Sequence, residues 1–486
     1  MNKRPNILFI NTDQQSWNAV SAYGNPYVHT PNIDRLHRNG TSFMRSYCSD
    51  PVCAATRSSW ATGLYTSETG VPFNGGHMHE EIQDIGQILN ASGYNAFHCG
   101  KWHVPGRNVR ESFHTLYYGK RDIGAGGGEY YDSASTHAVI DFLTTYDGNA
   151  PFYLQIGYVN PHDVCEYLHN HEEKRIPNPL RQGIVTEDDL PPLPENFHYD
   201  ESETVLQQVC RRTDDALIHS AILNGVRDWD EFHWRYLIWN YYRFIEKVDA
   251  EIGIVLNVLE QTPFCDDTII VFSADHGEAC GSHQMFQKFT LYEESIRVPF
   301  IVACLGDGVP VQKNRFDREH FISGVDVVPT VYDYAGIDAP ESVQVERGEI
   351  PRIGGMSVRP LAEGDVRPWR EFAYVESNYW GRAVVADRYK YVTEYKPADP
   401  EDFRPPGPDA SRLGRAQLFD LQEDPWETRN LMSQSGYEDV IDSCRANLLA
   451  QEARLNRWQI EHPNPRSVIS NWGARLGTEW KGLSAS

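Results

Sequence analysis

No stretch of this 486-residue chain approaches the roughly 18 consecutive apolar residues of a membrane span, so no membrane partner is expected. Positive charge is scarce: 44 Lys+Arg stand against 68 Asp+Glu, a formal net charge of -24. Nucleic acid is thereby excluded as a main partner, because it is held through a basic surface. A small anionic substrate would need a local basic pocket set into an acidic body. Cysteines are few and scattered, nine at 48, 53, 99, 165, 210, 265, 280, 304 and 444, and no CxxC pair occurs. That excludes a zinc cluster or a dense disulfide framework and leaves mostly buried thiols in a reducing compartment. Met1-Asn2-Lys3-Arg4-Pro5 leads straight into strand-like Asn6–Asn11, without the longer apolar stretch and cleavage site of a secretory signal. We expect a cytoplasmic protein, or a periplasmic one whose signal segment has been removed. Internal repeats are missing, and nothing sets the oligomeric state.

What is present is globular: 40% apolar, 23% charged and 12% aromatic residues, enough to build a core. Short apolar runs predict buried strands over Asn6–Asn11, Phe152–Val159, Thr268–Ser273 and Val298–Ala303. Between them, helices are expected at Ile33–Asn39, Glu81–Ser92 and Phe232–Gln261. That alternation predicts an α/β domain over about 1–345 with a large, mostly parallel sheet flanked by helices. The Pro-rich, charged segment of about 165–230 reads as an irregular excursion over the active-site face. From 346 to 486 a smaller α+β domain is expected, with a hairpin at Arg382–Val392 turning on Asp387-Arg388, a surface loop at Arg404–Pro408 and a helix over Glu438–Gln459.

Ligands of a parallel sheet bind at the C-terminal ends of its strands. There the first strand delivers Asp13-Gln14, and a late one delivers Asp275-His276. All four can ligate a divalent cation, and they form one site if the two strands are neighbours. Between them lies Pro51-Val52-Cys53-Ala54-Ala55-Thr56-Arg57-Ser58-Ser59, followed by Thr62-Gly63-Leu64-Tyr65. The pattern Cys-x-(Pro/Ala)-x-Arg resembles the signature of the sulfatases, formylglycine-dependent enzymes of the alkaline phosphatase superfamily. The likeness runs on through Thr30-Pro31-Asn32, Gly100-Lys101-Trp102-His103, Asn160-Pro161-His162, Gly281-Ser282-His283 with Lys288, Leu291–Pro299, and Phe419-Asp420-Leu421 with Asp424-Pro425. Three positions depart from the common pattern: Ala55 where many members have Pro, Gln14 where many have Asp, and His276 where many have Asn.

The resemblance implies an alkaline phosphatase-like fold and a sulfuric ester hydrolase. Cys53 would be oxidised to formylglycine by a formylglycine-generating enzyme, with Ala55 suiting the anaerobic radical type. Asp13, Gln14, Cys53, Asp275 and His276 would hold the metal, Ca2+ first and Mg2+ or Mn2+ as alternatives. A hydroxyl of the hydrated aldehyde would attack sulfur, aided by Asp275, with Arg57 holding the nucleophile. Lys101 would neutralise sulfuryl oxygens, His162 or Lys288 would protonate the leaving alcohol, and His103 would take the second hydroxyl proton to release sulfate. Asn74, His77, His79 and Arg382 are candidate substrate contacts. The substrate is expected to be a small sulfated alcohol, a mono- or oligosaccharide by analogy. Two alternatives stand. One is a phosphonate monoester or phosphodiester hydrolase, which shares an Asp-Gln pair but not the Lys-Trp-His element. The other is a non-catalytic metal scaffold with unmodified Cys53.

Overall fold

The computed structural model describes residues 4–72, 74, 76–118, 127–165, 185–211, 229–338, 342–345, 348–351, 355–377, 380–396 and 409–455. Eight strands build the large sheet: β1 Asn6–Asp13, β2 Gly40–Tyr47, β3 Asn95–Gly100, β4 His114–Tyr117, β5 Phe152–Pro161, β6 Thr268–Ala274, β7 Phe300–Ala303 and β8 Arg315–Ser323. Their order is β4-β3-β5-β1-β6-β7-β2-β8, and β7 alone runs against the others. β1 therefore lies between β5 and β6, with Asp13 level with Pro161 and Thr12 level with Ala274. This register puts the three loops that follow these strands at one spot.

The central strands are apolar throughout because both faces are covered, as parallel sheets require. Ile7, Phe9, Ile269 and Val271 face a layer that includes α2 (Cys53–Thr62) through Ala54 and Trp60, and the helix Val327–Ala335. Leu8, Ile10, Ile270 and Phe272 face the opposite layer, built from Pro31–Arg38, Gly128–Thr145 and the 30-residue helix Glu231–Glu260. Four strands are not marked by apolar runs. In β8, RFDREHFIS, charges stand at 315 and 317–319 and only Phe321 and Ile322 enter the apolar core; β2, β3 and β4 are short or polar at a sheet flank. The helix expected at Glu81–Ser92 is shorter, Ile85–Ala91, because Asp84 caps it by accepting the Gln87 N–H.

A hairpin pairs β9 (Ser342–Val345) with β10 (Gly348–Pro351). An antiparallel sheet follows: β11 Phe372–Ser377, β12 Gly381–Ala386, β13 Tyr389–Tyr395 and β14 Leu413–Asp420, paired in that order. The β12–β13 turn uses Asp387 at φ +49°, as the Asp-Arg pair suggested. One face of this sheet packs on the helix Glu438–Arg454 through Cys444 and Leu448. Its other face, with Val375, Ala383 and Val392, packs on Tyr47, Leu291 and Phe321 of the large domain. Within the expected irregular excursion, residues 166–184 and 212–228 lie outside the described residues, as does the loop at Arg404–Pro408. Its described part does contain a helix, Val205–Arg211, whose first N–H groups at Val205 and Leu206 donate to Glu394 of β13. No helix among the described residues is long and apolar enough to cross a membrane.

Candidate active site

Cys53 opens α2, directly after extended Val52, so the helix N-terminus points its unpaired N–H groups toward the strand ends. Ala54 N–H is taken by Asn74 Oδ1 at 3.1 Å, and Thr56 Oγ1 donates to the Asp50 carbonyl. The Cys53 side chain is 1% exposed. Around its Sγ stand Lys288 Nζ at 3.1 Å, His276 Nε2 at 3.2 Å and Asp13 Oδ1 at 3.7 Å. His103 and His162 also hydrogen-bond to this side chain.

Apart from Lys288, which lies in the long loop after β6, the partners arrive from strand ends. Lys101 follows β3, where Gly100 adopts φ +88° and its backbone presses on Gly157 of β5; a Cβ on Gly100 would sit 2.2 Å from the Gly157 carbonyl oxygen. That close crossing lets Lys101 N–H donate to Gly157 O and brings Lys101 Nζ to 2.6 Å from Asp13. His162 follows β5; its ring nitrogen is 3.9 Å from Asp13. Asp132, reaching from the helix 128–145, accepts the N–H groups of Val159 and Asn160 and so shapes that loop.

Arg57, one helical turn after Cys53, spends its guanidinium differently from the role first given it. It donates to Asp275 at 2.8 Å, Asp13 at 3.2 Å, Asn11 and the Lys101 carbonyl. It thus fixes the two carboxylates, while the hydrogen bonds of residue 53 are made with Lys288, His276, Asp13, His103 and His162. Asp13, Cys53, Asp275 and His276 each place one ligand atom within 4.8 Å of the others, all buried. Gln14, at φ +72°, donates its N–H to Asp275 and its Oε1 accepts from Lys288 Nζ at 2.8 Å.

The electrostatics follow from this crowding. Burial and the Cys53 charge would raise the Asp13 carboxyl, but Lys101, His162 and Arg57 outweigh them and hold it far below the usual range. Asp275 is instead pushed up, by burial and by the Asp13 charge. Arg57 pairs with Asp275 but is shared with Asp13, and a divalent cation between the two carboxylates would relieve their remaining repulsion, so the donor set fits one. Burial would raise the Cys53 thiol, yet Lys288, Lys101 and His276 bring it well below its ordinary value. Burial, followed by the Lys288 charge, lowers His162 to about 4. Lys288 is pushed up: burial opposes this, but the charges of Cys53 and Asp13 prevail.

The other sequence-derived candidates separate. Asn74 lies exposed at the rim, against the start of α2. His77 and His79 are half-buried beside Gly106 and Thr69, and burial lowers His79 to about 4. Arg382 is not a pocket residue. It is fully buried in β12 and ion-paired with Glu452 at 2.5 Å, a structural pair between sheet and helix. A cleft of about 460 Å³ lined by Trp17, Tyr27, Pro194 and Tyr241 opens behind Glu278 and does not include residue 53. A second buried group, His283, Glu294 and Glu427, is tied by Asn196 and Lys390 into the seam between the two sheets. His283 and Glu294 lie in stretches that carry the resemblance, Gly281-Ser282-His283 and Leu291–Pro299, but no site role was read for them, and no motif states that they meet Glu427.

Residues 5–337 match the sulfatase family, and residues 281–454 match the C-terminal part of N-sulphoglucosamine sulphohydrolase. A Delta 4,5-hexuronate-2-O-sulfatase of Bacteroides thetaiotaomicron is 27% identical over 92% of this chain and 88% of its own. A solved 2-O GAG sulfatase superposes with a TM-score of 0.73 at 25% identity, covering 93% of this chain and 92% of that one. The phosphonate monoester hydrolase of Agrobacterium radiobacter shares the fold at TM-score 0.73 and 22% identity, over 93% and 96% of the two chains. Because the match takes in β1 with Asp13, the Cys53 helix, the Lys101 and His162 loops and the Asp275 strand end together, this chain belongs to the sulfatase family and is a sulfuric ester hydrolase.

Proposed function

We propose that this enzyme removes sulfate from a small sulfated carbohydrate, using Cys53 converted to formylglycine by a formylglycine-generating enzyme and a calcium ion held by Asp13, Gln14, Asp275 and His276. The observation that carries the reading is the pair of cationic donors at residue 53, Lys288 at 3.1 Å and Lys101 2.6 Å from the adjoining Asp13, with His276, the proposed cation ligand, at 3.2 Å. Donors converging on one small buried position suit a tetrahedral anion handed to that residue. Cys53 Sγ stands here for the oxygen of the modified side chain. Calcium is preferred because oxygen donors dominate; the His276 nitrogen keeps magnesium or manganese as alternatives.

When bound, the cation supplies Lewis-acid neutralisation of the sulfuryl oxygens, and the hydrated aldehyde supplies the attacking hydroxyl. The chain's own residues do the rest. Arg57 and Lys101 hold Asp13 in place, and Lys101 faces the equatorial oxygens. Lys288, held protonated, can give a proton to the leaving alcohol at neutral pH. His162, held neutral by burial, hydrogen-bonds at residue 53 without adding charge. His103, bonded to residue 53, is placed to take the second hydroxyl proton.

A carbohydrate sulfate is favoured by the 2-O-sulfatases among the relatives, and the -24 charge disfavours a long polyanion over a broad surface. The second reading, phosphonate monoester hydrolysis, is favoured by the Asp13-Gln14 pair and the equal TM-score of the phosphonate hydrolase. The test compares kcat/KM for sulfated sugars and an aryl phosphonate, alongside the mass of the Cys53 peptide. We expect faster sulfate release and a loss of about 18 Da at Cys53 on conversion of thiol to aldehyde. A faster phosphonate, or an unmodified peptide from the native host, overturns the reading.

A further inference from the structure

Behind the cation pocket lies a carboxylate with no assigned part in the reaction. Glu278 is 2% exposed. Its Oε1 accepts the N–H groups of Cys280 and Gln287, and its Oε2 accepts Gln14 Nε2 at 2.5 Å. Its own backbone is pinned through Ser16, whose Oγ accepts the Glu278 N–H at 2.9 Å and donates to the Glu278 carbonyl at 3.0 Å. Gln14 is equally fixed at its backbone, where its carbonyl accepts the Tyr241 hydroxyl at 2.8 Å. The remaining freedom of Gln14 is the rotation of its amide.

That rotation decides what Gln14 is. The two ends of a primary amide have nearly the same shape but opposite hydrogen-bonding character, one acceptor and one pair of donors. Only with Oε1 forward does Gln14 offer an oxygen to Lys288 and to the cation beside residue 53. With Nε2 forward it would aim donors at a cation. Lys288 favours the first arrangement, but it also touches residue 53 and serves the substrate there. Glu278 makes no such contact. We propose that Glu278 is a positioning residue: by accepting from Gln14 Nε2 it locks the amide with Oε1 toward the cation pocket, so that Gln14 can act as a ligand where many relatives use a carboxylate. The opposite rotamer would set Oε1 against Oε2 of Glu278. The inference rests on the reading of Asp13, Gln14, Asp275 and His276 as a cation site.

The test is calorimetric titration of the chelator-stripped full-length protein with Ca2+, in two backgrounds. In the parent, Glu278→Gln should weaken Ca2+ binding by about 10- to 100-fold, the usual loss when a group that orients a metal ligand is removed. In a Gln14→Glu background the same substitution should weaken binding far less than in the parent, by the lost charge alone, because a carboxylate has no wrong face. A purely structural role would weaken both backgrounds alike. Equal weakening in both backgrounds, or no weakening in the parent, overturns the proposal. If Glu278→Gln alone does not fold, Gln14→Glu compared with Gln14→Glu/Glu278→Gln still decides it: a loss of about 10-fold or more in the double variant overturns it. Gln14→Ala with unaltered affinity overturns both the ligand role and the orientation. No substrate enters the titration, so a parent that binds Ca2+ but releases no sulfate would overturn the functional reading separately.

Discussion

Lys101 and His103 are two residues apart, yet they face different atoms: Lys101 pairs with Asp13, and His103 bonds residue 53 itself. Replacing them should therefore fail at different steps. His103→Ala should slow release more than attack, so intact-protein mass after brief exposure to a sulfated sugar should show a gain of about 80 Da. Lys101→Ala should slow attack and show no gain; equal spectra for the two variants would refute the division of labour. Cys53→Ala should leave less than about one part in a hundred of turnover, set against the roughly 10⁶-fold or larger accelerations enzymes supply. The fold should persist, since removing one thiol leaves a small void. Arg382 makes the opposite case. Its pair with Glu452 is fully buried, so Arg382→Leu should lower stability by about 3–5 kcal/mol in a denaturant titration while leaving KM unchanged. The sequence could not reveal this, because the partner lies 70 residues away on a helix with no motif.

The strands legible in the large sheet are those that carry apolar runs. β1, β5 and β6 read as apolar runs because helices cover both sides, and the chemistry at their ends was legible with them. β8 was not, since charges at 315 and 317–319 leave only Phe321 and Ile322 as an apolar signal. The described helix of the excursion was missed for another reason: it is set by a partner distant in sequence. Glu394 accepts the first N–H groups of Val205–Arg211, and burial raises that carboxyl from 4.5 to about 7, although the backbone N–H groups oppose the shift. A carboxyl raised on folding stabilises fully below its unfolded value, and this contribution is lost as pH rises through its folded value. Denaturant midpoints of the parent should therefore fall between about pH 5 and pH 8, and fall less in Glu394→Gln. An identical pH slope in the two proteins would contradict this account of Glu394.

At the scale of the molecule, the site is a junction. Asp13, Lys101, His162 and Asp275 come from four strands, and Cys53 comes from a helix packed on the sheet face. Each motif was recognisable in the sequence, but their convergence rests on the strand order β3-β5-β1-β6, which no motif states. If a cation holds two of those strand ends together, its removal should be felt globally. Chelation should abolish turnover and lower the unfolding midpoint, and Ca2+ at a hundredfold excess over its Kd should restore about 2.7 kcal/mol. A midpoint indifferent to chelator would remove the cation from the site. The strand order also sets a clock. Cys53 and His276, in contact in the folded enzyme, are 223 residues apart in the chain. A ribosome adding about 5–20 residues per second needs roughly 10–45 s to pass from one to the other. Throughout that interval β6 does not yet exist and Cys53 has no pocket to be buried in. On the proposed conversion of Cys53, that interval is when a modifying enzyme would reach it, and pairing of β6 beside β1 would close it.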